Sequence, residues 1–300
     1  ITKAMELVAA TKMRRSQESA FNSRPYAFTA LDLLGTLSKL DGVVLPPVLE
    51  KRKVKHTAIA LITSDKGLAG SFNSAVIRKF EKFLKSEKID PSSAKASEGN
   101  SRYLFIAVGQ KASRYLARRT PSLERSFTRV GDYTTLQETK PISDHLTNGY
   151  INGAWDEVIM FSSHFRSALR QEVLARKIFP IDVSVLRETM NELIPETGKF
   201  SEFRSLLSPQ SSILTDYLIE PSPAELLANL VPHLVEMQLY HLILEANASE
   251  HAARRMAMKS ASDNASELAS RLALVYNKAR QAGITRELVE ITAGAEAINQ

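Results

Sequence analysis

The stretch "ASDNASELASRLALVYNKARQAG", Ala261–Gly283, decides how this chain is built. Its small and apolar residues fall at Ala261, Ala265, Leu268, Leu272, Val275, Ala279 and Ala282, an unbroken four-three alternation that marks a left-handed coiled coil. Ile284, Leu288, Ile291, Ala295 and Ile298 restart the same spacing in a shifted register. Between Pro221 and Ile298 the only further prolines are Pro223, a natural early-turn position, and Pro232, where a kink is expected. The reading is one helix roughly 100 Å long at about 1.5 Å per residue. No domain this chain can form is that wide, so much of the helix must project and find its burial against other chains.

Working outward, the partner most available to an alanine-rich seam is the other end of the chain. Ile1 to about Leu40 is rich in Ala, Met, Leu and basic residues, with Pro25 its strong breaker and helical spacing at Ile1, Met5 and Val8. The chain starts at Ile1 rather than methionine, within this helix, so a fragment lacking some helical turns is expected. "DGVVLPPVLEKRK", Asp41–Lys53, ends the helix with turn and breaker residues.

The middle alternates between apolar runs and helical periods. "HTAIALIT" (His56–Thr63), "RYLFIAVG" (Arg102–Gly109) and "DEVIMFSSHF" (Asp156–Phe165) read as buried strands. "FNSAVIRKFEKFLKSEK", "QKASRYLARR" and "TTLQETKPISDHLTNGY" read as helices, and "ALRQEVLARKIFPIDVSV" as an extended pair or an edge strand. That order predicts a small parallel-rich sheet covered by helices. The Ser-rich stretch 86–101 reads as a solvated loop insertion, and the segment around 188–212 has no clean period. The expected fold class is α/β: a Rossmann-like domain at 54–212, inserted between a coiled-coil helix at 1–42 and a long coiled-coil helix at 213–300.

Composition narrows the function. The 300 residues are 44% apolar and contain no cysteine, which removes disulfides, thiolate metal sites and thiol regulation. No run approaches the roughly 20 apolar residues a membrane span needs. A net charge of +6 points to an acidic partner, whether nucleic acid, anionic lipid or protein.

"SDKGLAGSFNSAV", Ser64–Val76, looks at first like a phosphate loop. A Walker loop needs its lysine directly after the last glycine, whereas Lys66 precedes Gly67 and Gly70, and the dinucleotide pattern of three spaced glycines fails too. The expectation is structural: Gly67 and Gly70 permit a tight strand-to-helix turn, and Ser71 or Asn73 caps the helix that follows. His56, His145, His164, His233, His241 and His251 show no metal spacing and no triad, so packing or surface roles are expected. No catalytic residue, metal or cofactor is expected. Between His251 and Arg286 lie seven cations (Arg254, Arg255, Lys259, Arg271, Lys278, Arg280, Arg286) against Asp263 and Glu267. Lys3, Lys12, Arg14, Arg15 and Arg24 add to them from the N-terminal helix, so a positive collar is expected around the middle of the rod. Two rivals are weighed: a Rossmann-like nucleotide-binding enzyme, which lacks the fingerprint glycines and acidic ribose ligand, and a basic coiled-coil nucleic-acid binder, in which Tyr276 is nearly the only aromatic on the collar.

"ITKAMELVAATKMRRSQ", "SDKGLAG", "ASEHAARRMAMKSASDNA" and "LVYNKARQAGITRELVEITAGAEAI" together resemble the gamma subunit of F-type ATP synthase, with Ile284, Thr285, Glu287, Glu290, Gly294 and Ala295 falling on its signature pattern. The resemblance implies a non-catalytic central-stalk rotor whose antiparallel coiled coil turns inside a ring of three alpha and three beta subunits. It implies an epsilon subunit beside it and a ring of c subunits below, with no nucleic acid and no insertion into the membrane. The absence of cysteine points to a bacterial member, peripheral on the cytoplasmic face of the inner membrane. It further implies beta-subunit contact at Met5, Arg254, Arg280, Gln281 and Thr285, and an apolar sleeve around Ile284, Leu288, Ile291 and Ile298.

Overall fold

The computed structural model describes residues 1–22, 33, 46–90, 95–96, 102–120, 122–130, 134–181, 220 and 222–298. Helix α1 (Thr2–Asn22) is followed by a short 3-10 turn at Pro47–Leu49 and by strand β1 (His56–Ile62). Next come α2 (Phe72–Ser86), β2 (Ile89–Asp90), β3 (Lys95–Ala96), β4 (Arg102–Val108), α3 (Gln110–Ala117) and β5 (Leu123–Phe127). Helix α4 (Leu136–Ile151), β6 (Glu157–Phe165), β7 (Gln171–Phe179) and the 76-residue α5 (Pro223–Ile298) complete the order.

The strands form one sheet in the order β2-β3-β4-β1-β6-β7, with β5 also on β4. Strand β1 pairs in parallel with both β4 and β6, so its apolar run is buried on both faces, as parallel strands usually are. Alternate residues go to opposite sides. Ile59, Leu61, Phe105 and Phe161 meet Val76, Phe80 and Leu84 of α2 and Leu116 of α3. Ala58, Ala60, Ile106, Val158 and Met160 meet Leu146 and Tyr150 of α4 and Leu227, Val231, Leu239, Leu242 and Ile243 of α5. Helix α4 starts at a capping box in which the Glu138 amide donates to Thr135 Oγ1 (3.3 Å) and the Thr135 amide to Glu138 Oε2 (2.8 Å). A Cβ at Gly149 in that helix would lie 1.9 Å from the Trp155 ring, so only glycine lets the indole in.

Two expectations change. The stretch 86–101 is not all loop: β2 and β3 lie within it and extend the sheet antiparallel, because the bridge Lys95↔Arg102 gives them an edge to pair with. The seam of α1 is not Ile1, Met5 and Val8. Ile1 and Val8 are exposed and Met5 is half-buried, while Glu6, Ala9, Met13, Ser16 and Ala20 are buried. Their three-four spacing selects small residues, which let α1 approach α5 closely, and this is the most extensive helix–helix contact among the described residues. "ALRQEVLARKIF" contains β7, an edge strand antiparallel to β6. Arg24 and Pro25 and the segment 188–212 lie outside the described residues.

Candidate functional site

At the end of β1 the loop 64–70 is held by side chains. Thr63 Oγ1 accepts from the Ala112 amide at 2.7 Å, and Asp65 Oδ1 accepts from the Gln110 amide at 2.8 Å. Asp65 thereby places a carboxylate at the start of α3, the position a bound phosphate would take. The adjoining cavity of about 260 Å³ is lined by Asp65 and Glu250 as well as Lys66, Arg129 and His251. Two carboxylates among the lining groups oppose a polyphosphate.

The turn is built differently from the sequence expectation. Ser71 occupies the position before α2 without a side-chain cap. Asn73 turns back instead: its Oδ1 accepts from the Ser64 amide (2.9 Å) and its Nδ2 donates to Ser64 Oγ (2.7 Å). Gly70, at φ +55°, takes up the left-handed conformation as expected, but its neighbour in that region is Leu68, at φ +64°, and not Gly67. Gly67 supplies its carbonyl. Arg254 of α5 donates to it from Nε (3.4 Å) and Nη2 (3.3 Å). The same guanidinium meets Glu250 Oε1 at 2.5 Å and His251 Nδ1 at 3.0 Å. Arg254 is only 8% exposed, so this residue, expected at a beta-subunit surface, is an internal clamp joining the loop to the rod.

A second polar cluster joins rod and sheet. His164 Nδ1 lies 3.0 Å from Glu245 Oε2, to which Arg176 Nη1 donates at 3.4 Å, and Ser249 Oγ donates to the Ser163 carbonyl at 3.3 Å. Nothing in the sequence marked these partners, which come from β6, β7 and α5. Of the other histidines, His145 packs between Phe127 and Trp155, where burial foremost, and then Arg125, lowers its pKa. Among the described residues no group of His, Cys, Asp or Glu could hold a metal.

Beyond the clamp α5 is bare: every residue from Asp263 to Ala295 is exposed. Burial of α5 therefore ends before Asp263, and the seam from Ala265 to Ala282 is left exposed. The expected collar is accordingly two bands. Lys3, Lys12, Arg14 and Arg15 sit on the packed α1, with Lys3 3.0 Å from Glu6 and Arg14 3.4 Å from Glu18. Arg271, Lys278, Arg280 and Arg286 sit on the free half. Arg280, Gln281 and Thr285 stay together, Thr285 Oγ1 donating to the Gln281 carbonyl at 2.9 Å. Along a continuous helix they lie about 39 Å from Arg254, so no single short loop touches both. Ile284, Leu288 and Ile291 are 50%, 58% and 68% exposed, and Leu268, Leu272 and Val275 are exposed with them. Ile298 ends the described helix.

Known proteins match this chain along its whole length. The family model described as ATP synthase matches residues 1–298. The ATP synthase gamma chain of a Synechococcus sp. strain is 38% identical over 306 residues, covering 100% of this chain and 94% of the relative. That of a Roseiflexus sp. strain is 37% identical over 300 residues, covering 99% and 92%. Among solved structures, a chain of the Tetrahymena thermophila mitochondrial ATP synthase central stalk and c-ring superposes with a TM-score of 0.58 at 24% identity, covering 87% of this chain and 99% of that one, a likeness of fold. This chain belongs to the ATP synthase gamma-chain family.

Proposed function

We infer that this chain is the central-stalk rotor subunit of an F-type ATP synthase, coupling proton-driven rotation of a c-ring to conformational change at catalytic beta subunits. The observation that carries the reading is the bare half of α5: about 50 Å of helix, at 1.5 Å per residue, whose heptad seam and apolar tip stay exposed among the described residues. Rotation of an asymmetric shaft presents a different face to each of three surrounding subunits and so favours a different conformation in each. The chemistry belongs to the assembly, and this subunit is non-catalytic. Asp65 at the start of α3 and Glu250 beside the cavity support that reading, because they leave no free cradle for a phosphate.

Arg280, Gln281 and Thr285 form the patch that meets a beta-subunit loop, with Met5 a further contact on α1. Ile284, Leu288, Ile291 and Ile298 seat in an apolar sleeve at the far end of the alpha-beta ring. The c-ring and an epsilon subunit complete the set of partners. Among the described residues no helix is long and apolar enough to cross a membrane. The subunit acts peripherally, at the cytoplasmic face of the inner membrane. Co-expression with alpha and beta subunits tests the reading: a stable complex in a 3:3:1 ratio that hydrolyses ATP with rotation of this chain is expected, and failure of the three to co-purify would overturn it.

A further inference from the structure

Helices α2 and α3 cover the face of the sheet opposite α4 and α5, and each runs from the end of a parallel strand back to the base of the sheet, where the strands begin. In α3, Ala112 and Leu116 turn into the core. Lys111, Arg114, Tyr115 and Arg118 fall on the outer flank, three or four residues apart. With Arg119 they line a surface groove of about 460 Å³, and among the described residues its lining contains no acid and no aliphatic side chain.

One wall of this groove is braced from α2. Tyr115 Oη donates to Glu81 Oε1 at 2.8 Å, Arg119 Nη1 meets the same oxygen at 2.9 Å, and the Arg119 guanidinium lies 5.1 Å from the centre of the Tyr115 ring. Glu81 therefore neutralises Arg119 only. Among the described residues the side chains of Lys111, Arg114 and Arg118 have no carboxylate partner. The other acids of this side are spent or distant. Asp65 accepts from the Gln110 amide, and Glu87 and Asp90 lie beyond the end of α2. Glu124 alternates with Leu123, which packs toward α2 and α3, so Glu124 belongs to the opposite face, where its charge acts on His145. Exposed Arg78, Lys82 and Lys85 of α2 add to the positive field.

We propose that the outer flank of α3 is a binding site for a linear polyphosphate chain, whether free or the triphosphate tail of a nucleotide. At 1.5 Å per residue Lys111, Arg114 and Arg118 step along the helix by about 4.5 and 6 Å, so they follow a row of charges rather than surround one. Two guanidinium forks match phosphate oxygens bidentately, and the ammonium adds a point charge. The base of a nucleotide is not read, because the Tyr115 ring is held between Arg119 and Phe80 and its hydroxyl is given to Glu81. A protein partner would need an apolar centre, yet no large apolar side chain of α2 or α3 is exposed, the nearest being Leu68 in the loop before α2. The groove is separate from the cavity at the loop 64–70, where Asp65 and Glu250 oppose a phosphate. It holds no reacting group, so it binds without catalysing.

The test uses the full chain by itself, because the catalytic subunits of an assembled complex would take up the same ligands. Calorimetric titrations with orthophosphate, tripolyphosphate, ATP and octaglutamate are compared without magnesium at moderate salt. Saturable binding of tripolyphosphate at one site is expected, with orthophosphate and octaglutamate each at least about tenfold weaker. ATP within about threefold of tripolyphosphate would identify a nucleotide tail as the source, and ATP more than about tenfold weaker would identify free polyphosphate. Arg114→Ala with Arg118→Ala is expected to weaken binding at least about tenfold without shifting the thermal transition, and Arg114→Lys with Arg118→Lys to restore only part, since an ammonium lacks the fork. Arg271→Ala with Lys278→Ala on the bare half of α5 is expected to bind as the wild type does. Absence of saturable tripolyphosphate binding or equal loss in both alanine pairs would overturn the proposal. So would octaglutamate binding as tightly as tripolyphosphate, which would make the flank a protein-docking face, or ATP binding more than about tenfold tighter, which would mean that a base is read.

Discussion

The two halves of α5 make the instructive comparison. From Leu227 to Met258 one face of the helix is buried against the sheet, α4 and α1, while every residue from Asp263 to Ala295 is exposed, yet both halves carry regularly spaced apolar residues. The first half is a core helix of the α/β domain that happens to continue. The second keeps an apolar pattern without burial, which a chain maintains at a cost in solubility unless a partner covers it. Periodicity therefore records the burial a helix meets in its assembly as well as in its own fold.

The comparison is broken most directly by a pair of polar substitutions. Leu242→Asp in the first half places a charge in the fully buried cluster of Ile106, Met160 and Val235 and is expected to unfold the isolated chain, seen as loss of its cooperative thermal transition. Leu288→Asp with Ile291→Asp in the second half is expected to leave that transition within about 0.5 kcal/mol while weakening assembly, since each apolar side chain removed from water contributes about 1.5 to 3 kcal/mol. Equal loss of chain stability in both would mean the tip folds back on its own chain.

The arginines sharpen the same contrast. Arg254→Ala leaves Glu250 buried beside the empty place of its partner and is expected to destabilise the chain by about 3 to 5 kcal/mol, with Arg254→Lys recovering part, because an ammonium cannot reach both Glu250 and the Gly67 carbonyl with a planar fork. Arg280→Ala is expected to cost no stability but to slow rotation-coupled ATP turnover about tenfold to a hundredfold, the equivalent of losing one charged hydrogen bond of roughly 1.5 to 3 kcal/mol. Urea titrations of the free chain and turnover of the complex separate the two effects. A turnover defect without a stability defect at Arg254 would show that it works at a surface after all.

A smaller effect is expected at the base of the sheet. Burial of the Asp156 carboxyl raises its pKa, but the Lys55 and His56 amides that donate to it outweigh that and hold it below its ordinary value of 3.8. A carboxyl depressed by folding stabilises above its unfolded pKa, and that stability is lost as pH falls through the folded one. Asp156→Asn is therefore expected to lower stability at neutral pH by about 2 kcal/mol, the gap to wild type closing below the ordinary carboxylate range. A gap that stays constant down to acid pH would place the effect in packing. Smallest of all, Arg14→Ala and Lys278→Ala, exposed cations from the two bands, are each expected to stay within about 0.5 kcal/mol in stability and to leave turnover nearly unchanged.

What the sequence by itself determined was everything that depends on consecutive residues. The long helix follows from its spacing and lack of internal glycine before Gly283, the buried strands from apolar runs between turn residues, and the failure of "SDKGLAG" as a phosphate loop from the place of one lysine. Family membership was legible for the same reason, because its motifs are short and local. Only the tertiary structure decided which neighbours those elements acquire. Arg254 read as one cation in a collar because its partner, the Gly67 carbonyl, is 187 residues away. Asn73 read as a cap because the Ser64 amide that claims it belongs to the end of β1. The α1 seam was misplaced because large apolar residues dominate a periodicity, while close helix approach selects the small ones, Ala9, Ser16 and Ala20. Contacts between distant segments depend on sheet order and helix direction, and no window of sequence contains both partners.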